Sequence, residues 1–394
     1  CSTTPDKSVS TENWPAHMGP NNNYHMASVE EIPLEWSVSE NKNIKWRTTL
    51  PEPGAGDITV WGDKLFFTCF RKLTAKDVQK GKLLIAETVG YCLDSRNGKL
   101  LWKAELPGKR PNLVNGIFTD STTPAPVTDG KHVWFVSAGG YMACYTVSGE
   151  KVWGKEFEVR TKHSAKQFQP ILHKGSLYYA AMRDKNDPQR REQKAKDYNK
   201  NSKADMWPWM FVRRFNALTG AAEGLIEDGI SVHSKAAIAR LNGEMVILHA
   251  KGGGHKPPET PYGLSLSKLN GERLWTKAGL DLEGTHYIDD KYAYSYGKKG
   301  LQVVDLKTGQ THKTIPLTAK CVFRKYDKKT ASYTETTKAA KGKKPITHRT
   351  NIGFGKYQYF MAYTPGVLGR INIDSEKVEY LQVPIQVNYS KGKK

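Results

Sequence analysis

The chain has 394 residues and a formal net charge of +21, from 60 Lys and Arg against 39 Asp and Glu, with a mean hydropathy of −0.61. No apolar run approaches the ~18 residues that a membrane-spanning helix needs, so such a helix is excluded. The five cysteines contain no CxxC, no CxxCH and no adjacent pair, which excludes zinc ribbons, haem attachment and a vicinal disulfide.

The first residue is Cys1, and a polar tether (STTPDKSVSTEN) follows it. This predicts a bacterial lipoprotein whose Cys1 carries lipid on its sulfur and amino group, since several acyl chains on one residue anchor stably. Ser2 in place of an acidic residue points to the outer membrane, on its periplasmic or cell-surface side. Residues 1–30 are read as the tether and N-terminal segment, and residues 31–394 as one repeat domain.

From there two phrases alternate. The first is an apolar pair, a polar turn around Gly or Asp, then alternating aromatic and β-branched residues. The second is a strand, a polar Gly turn, and a strand that often carries Trp. In chain order the pairs are ITVWGDKLFFTCF with YCLDSRNGKLLWKAELP, APVTDGKHVWFVS with ACYTVSGEKVWGKEF, and QPILHKGSLYYAA with RRFNALTGAAEG. IARLNGEMVILHA with LSLSKLNGERLWTKAG, YIDDKYAYSYG with LQVVDLKTGQTHKTI, and NIGFGKYQYFMAY with GRINIDSEKVEYLQV follow. Alternation of this kind is the period of a half-buried strand. Each pair supplies three or four strands, and a sheet unit recurring at roughly 40–50 residues is the signature of a β-propeller.

Six pairs are complete. Residues 32–50, with Trp46, and residues 380–390 look like partial copies. The expected fold is all-β: a single propeller of seven four-stranded blades, with six or eight also compatible, in which residues 32–50 complete the blade formed by the C-terminal strand. Trp102, Trp153 and Trp275 are expected between neighbouring blades at equivalent positions. Cys69 and Cys92 fall on strands of one blade, either paired or as buried free thiols.

Much of the basic charge lies in insertions. Residues 320–346 hold nine Lys or Arg and two acids, and residues 183–206 are dense in both signs and fit a short surface helix. Such a field attracts polyanions. In a cell envelope these are acidic or sulfated glycans, lipopolysaccharide or anionic lipid, with no nucleic acid expected; the plain alternative is a solvated surface.

Four histidines precede the first strand of a blade: His163, His233, His286 and His348. Converging on the propeller axis, they could hold Zn, Mn, Fe or Cu, line a polar ligand funnel, or serve as hydrogen-bonded loop residues. Lys235, Arg349, Lys162 and Lys166 stand beside them and would make that mouth cationic, as an anionic sugar requires. The Gly/Pro loop 249–263 reads as a rim of the opening or a long connection between strands. MWPWMF (206–211) reads as an aromatic anchor or as packing under its own insertion. No Ser/His/Asp arrangement and no carboxylate pair nominates a catalytic centre.

NWPAHMGPNNN (13–23), IPLEWSVSENKNIKWRTTLPEPG (32–54), ITVWGDKLFF and YCLDSRNGKLLW resemble the PQQ-like β-propeller repeat proteins. These are related to quinoprotein alcohol dehydrogenases and to the propeller lipoprotein of the outer-membrane assembly machine. The opening is most similar to secreted members from planctomycetes and verrucomicrobia, with His17 and Met18 departing at an aromatic–Arg position. The resemblance implies a lipid-anchored propeller that holds a partner protein or an anionic glycan. Its enzymatic branch holds PQQ with Ca²⁺ and uses a vicinal Cys–Cys disulfide, a stacking Trp and an acidic base. This chain has no adjacent cysteines, so no cofactor is expected, PQQ in particular. The alternative is an oxidoreductase or polysaccharide lyase with a metal or quinone in the funnel.

Overall fold

The computed structural model describes residues 13–20, 33, 35–79, 82–85, 87–108, 112–113, 121–159, 167–182, 210–231, 234–251, 262–280, 287–297, 299–339, 351–362 and 366–384. Internal contacts divide the chain into two units, Cys1–Glu283 and Gly284–Lys394.

The first unit holds four antiparallel four-stranded meanders. The first sheet runs Thr59–Trp61, Lys64–Phe70, Thr88–Asp94 and Leu100–Leu106. The second runs Val127–Thr128, His132–Ser137, Tyr141–Thr146 and Lys151–Glu156. Ile171–His173, Ser176–Met182, Met210–Asn216 and Ala222–Gly229 form the third, and Ala237–Leu241, Glu244–Ala250, Gly263–Lys268 and Arg273–Ala278 the fourth. A small three-stranded sheet pairs Val78–Gln79 and Lys82–Ile85, inserted between the middle strands of the first, with Asn112–Leu113, which follows its last strand.

The second unit holds the fifth sheet (Tyr287–Ile288, Tyr292–Gly297, Gly300–Asp305, Thr311–Ile315) and the sixth (Ile352–Phe354, Tyr357–Met361, Val367–Asn372, Val378–Gln382). The hairpin Val322–Asp327/Ser332–Thr336 extends the sixth by parallel pairing, Phe323 opposite Tyr380. Among the described residues no helix is long and apolar enough to cross a membrane.

The middle strands are buried on both faces: every residue of TVGYCLD in the first sheet, and all but the last of YMACYT in the second. That is why they read as near-continuous apolar runs. The outer strands are wet on one side, as in KVWGKE. Period 2 then sorts side chains to two interfaces. In the first sheet Phe66 and Cys92 face the second sheet beside Phe135. Phe67, Cys69 and Tyr91 form a separate cluster.

Adjacent sheets are joined by a repeated contact. The Trp46 indole donates to the Ser95 carbonyl (2.8 Å), Trp102 to Val147 (3.2 Å) and Trp153 to Ala217 (2.9 Å). Each ring lies over the turn glycine of the next repeat: Gly98, Gly149 and Gly220, at φ of +71°, +102° and +65°. A Cβ there would stand 2.5–2.7 Å from the indole, so glycine is required both for its backbone and for its missing side chain. Pairing with the outer strand slips by one residue just before the turn, at Cys92/Leu93 and again at Cys144/Tyr145.

Several expectations are corrected. Among the described residues five sheets are four-stranded and the sixth is six-stranded, beside the small three-stranded sheet. Residues 35–50 make only a Ser37–Lys42 bridge and deliver Trp46 to the first sheet's turn. The free edge of Val378–Gln382, where residues 32–50 were expected, is taken by the hairpin from the basic insertion. Trp102 and Trp153 do hold equivalent positions, but Trp102 and Trp275 are only half-buried. The third sheet has Gly224 where the first, second and fourth carry Trp, and the Leu225 carbonyl meets Gly271. Cys69 and Cys92 are free and buried. Cys69 pairs across the ladder with Val89 and Cys92 with Phe66, an odd offset that puts the two thiols on opposite faces. The proposed surface helix at 183–206 lies outside the described residues. Of MWPWMF only Met210 and Phe211 are described, and they open a buried strand.

Candidate functional site

The segment 13–20 lies along the first strands of the first two sheets. Trp14 and Val60 exchange two backbone hydrogen bonds of 2.8 Å, Thr128 N donates to Pro15 (3.0 Å), and Gly62 N donates to the Asn13 side chain (2.7 Å). This seats His17, 9% exposed, against the exposed Asp57, to which its Nδ1 is hydrogen-bonded. Lys235, half-buried just before the fourth sheet, faces the same carboxylate. Burial depresses the Lys235 ammonium below the usual lysine range, opposed by attraction to Asp57. Burial acts to raise the Asp57 carboxyl, but the His17 hydrogen bond and charge, then Lys235, outweigh it and hold it low.

Lys235 is therefore part of a mixed-charge group, His17–Asp57–Lys235, at the end of the sheets where the first strands begin. The other predicted mouth residues, His163, His233, His286, His348 and Arg349, lie outside the described residues, as do Lys162, Lys166 and Cys1. Lys235 is thus the one predicted site residue among the described residues. The structure supplies His17 and Asp57 beside it; the sequence signal for His17 was its place at the aromatic–Arg position of the NWP segment. Among the described residues no group of three or more His, Cys, Asp and Glu is placed to hold a metal ion.

A second constellation was missed entirely. Asp228, on the outer strand of the third sheet, is 1% exposed and meets the fully buried Lys251 at the end of the fourth sheet's second strand. Lys251 Nζ donates to Asp228 Oδ1, and the Ser265 hydroxyl donates to Oδ2. His249 Nε2 lies 3.5 Å from Oδ2, and neither of its ring nitrogens makes a hydrogen bond. His249, Ser265 and Thr276 form one row across the fourth sheet, with 3.0 Å between the two hydroxyls. Arg273 Nη1 approaches at 3.6 Å from the wet side. Burial acts to raise the Asp228 carboxyl, but His249 and Lys251 outweigh it and hold it below the carboxylate range.

The sixth sheet carries a third feature. Phe354, Tyr359, Met361, Leu368 and Leu381 lie exposed on it, between 37% and 63% of their surface. The ladder Tyr359–Arg370–Glu379 and Met361–Leu368–Leu381 places them on one face. A cleft of about 230 Å³ runs across it, between Val322, Tyr359, Leu368 and Leu381. Arg370 and Glu379 bond at 2.7 Å within it.

Residues 86–197 match the family model PQQ_2, described as outer membrane protein assembly factor BamB. This stretch is similar to a PQQ-like β-propeller repeat, and the contact of Trp102 on Gly149 lies within it. No curated protein sequence matches the chain. Among solved structures, BamB from Moraxella catarrhalis is 13% identical, with 82% of this chain and 73% of that one covered, at a TM-score of 0.45. Quinohemoprotein alcohol dehydrogenase ADHIIG from Pseudomonas putida HK5 is 12% identical at a TM-score of 0.47, covering 84% of this chain. The enzyme from Comamonas testosteroni is 10% identical at 0.43, covering 82%. The chain spans about half the length of the two dehydrogenases, 54% and 53%. At these scores and identities the structural matches carry no argument about activity. The four described cysteines are single, buried and free, so the vicinal disulfide of the enzymatic branch has no counterpart.

Proposed function

We propose that this chain is a non-catalytic binding module of the bacterial cell envelope, held to the outer membrane by lipid on Cys1, that docks a partner protein. The observation that carries the reading is the match of residues 86–197 to the model of an outer membrane protein assembly factor. The exposed apolar face of the sixth sheet supports it, since contiguous exposed apolar surface marks protein contacts. The hairpin lysines Lys325, Lys328 and Lys329 beside it, exposed to solvent, favour an acidic rim on the partner.

A second reading rests on the net charge of +21. An acidic glycan would be held at the mouth by Lys235 and Arg349, with His163, His233, His286 and His348 around it. Asp57 opposes this at Lys235, so the protein partner is preferred. Fractionating the host with native and Cys1→Ser protein tests the anchor: the native form is expected with the outer membrane and the variant free of it. Leu368→Glu, folded by circular dichroism, is expected to lose the partner. Steeply salt-dependent binding of acidic but not neutral glycans, unaffected by Leu368→Glu, would favour the glycan reading.

A further inference from the structure

We propose that Lys251 and Asp228 become joined by an intramolecular isopeptide bond, a covalent tie between the third and fourth sheets. The amine and the carboxylate are in direct contact, 0% and 1% exposed, on different sheets. Ile226, Ile230 and Leu264, their neighbours along the strands, are each no more than 2% exposed. A charged pair in such a place is costly to keep, because each ion has lost its hydration. Condensation removes both charges and leaves a neutral amide.

The groups for that step are present. The proton of the hydrogen bond crosses from the Lys251 ammonium to the Asp228 carboxylate, giving a neutral amine and a neutral acid as the minor, reactive pair, since the neighbouring charges hold Asp228 ionised. The Nζ lone pair attacks Cγ, and the Ser265 hydroxyl, already donating to Oδ2, holds the oxygen that gains charge in the tetrahedral intermediate. His249, buried with neither ring nitrogen hydrogen-bonded, takes the second amine proton and returns it to the departing Oδ1 oxygen. One C–N bond forms and one C–O bond breaks. An ammonium and a carboxylate enter, a secondary amide and one water leave, and no oxidant or reductant is consumed. Holding both groups in contact replaces the entropy cost of a bimolecular encounter.

Mass spectrometry of the full chain, fully denatured, tests this without depending on the fold of any variant. The wild type is expected to be one water lighter than its sequence, and digestion is expected to give a branched peptide joining Lys251 to Asp228. Lys251→Met and Asp228→Ala are each expected at the full mass of their own sequences. His249→Gln, sampled in time after synthesis, is expected to close on the order of a hundredfold more slowly. Wild type at full mass, a water lost at any other position, or closure in His249→Gln as fast as in wild type would overturn the proposal.

Discussion

The second and third sheets meet through indoles, whereas the third and fourth meet through charge. At the first interface Trp134 and Trp153 both donate to the Ala217 carbonyl, at 2.7 and 2.9 Å, and Trp153 lies on Gly220. At the second, no indole reaches the turn glycine, because the third sheet has Gly224 at that place. A buried Asp228–Lys251 contact with Ser265 and His249 lies in the same interface. The repeat tolerates two ways of closing the gap between blades. The indole closes it by area and one hydrogen bond; the polar cluster closes it only while every member is satisfied.

The polar interface is the more fragile, and the largest effect is expected there. Asp228→Ala leaves Lys251 buried without a counter-charge and is expected to cost about 3–5 kcal/mol in denaturant unfolding. A cost under about 1 kcal/mol would show that water or a neighbour rescues the lysine. Replacing both partners, Asp228→Leu with Lys251→Met, sharpens the distinction between a tie and a salt bridge. Loss of a covalent tie closing this loop is expected to cost on the order of 3 kcal/mol. A non-covalent pair replaced by apolar residues would be nearly neutral.

At the indole interface Trp153→Ala is expected to cost about 3 kcal/mol, the low end of the range for a large aromatic side chain, because a cavity remains over Gly220. The half-buried Trp275 is expected to cost less, and equal losses at the two positions would break the link between burial and cost. Gly220→Ala comes next. It combines φ of +65° with a clash on the Trp153 ring and is expected to cost about 1–2 kcal/mol. The smallest effect is expected from thiol reagents. Burial pushes the Cys92 and Cys144 thiols up to about 12 and Cys69 to about 11, so almost no thiolate is present at pH 8. Native protein is expected to resist alkylation there and react once unfolded.

The blade pattern was legible because strand alternation and a Gly turn are local signals. NGKLLW and SGEKVW each state a turn, a strand and the indole that reaches the next repeat. The count of sheets was not legible. Residues 32–50 carry the Trp of a repeat without its strand, and IKW reads equally as an edge strand or as an arm that delivers an indole. The stretch 320–339 looked like an insertion because Lys and Thr dominate it. It is a hairpin paired to the sheet edge, where side chains face water and alternation carries no apolar signal.

The polar cluster was invisible for a different reason. Asp228, His249, Lys251 and Ser265 are ordinary single residues on separate strands, and only the packing of two sheets brings them together. Lys251 read as the start of a Gly/Pro loop. At the mouth, Lys235 was chosen for its charge and its neighbour His233, whereas the partner the structure gives it, Asp57, lies in a loop of the first repeat that had no motif to mark it.

The central claim, that this is a binding module whose exposed sixth-sheet face meets another protein, is tested most directly by a photo-reactive side chain at position 368, in lipidated protein made at native level in the host envelope. Irradiation is expected to give one dominant adduct with an envelope protein, absent when the same group replaces the exposed Lys99 of the first sheet's turn. Adducts only with the chain's own peptides, or none at all, would contradict the claim.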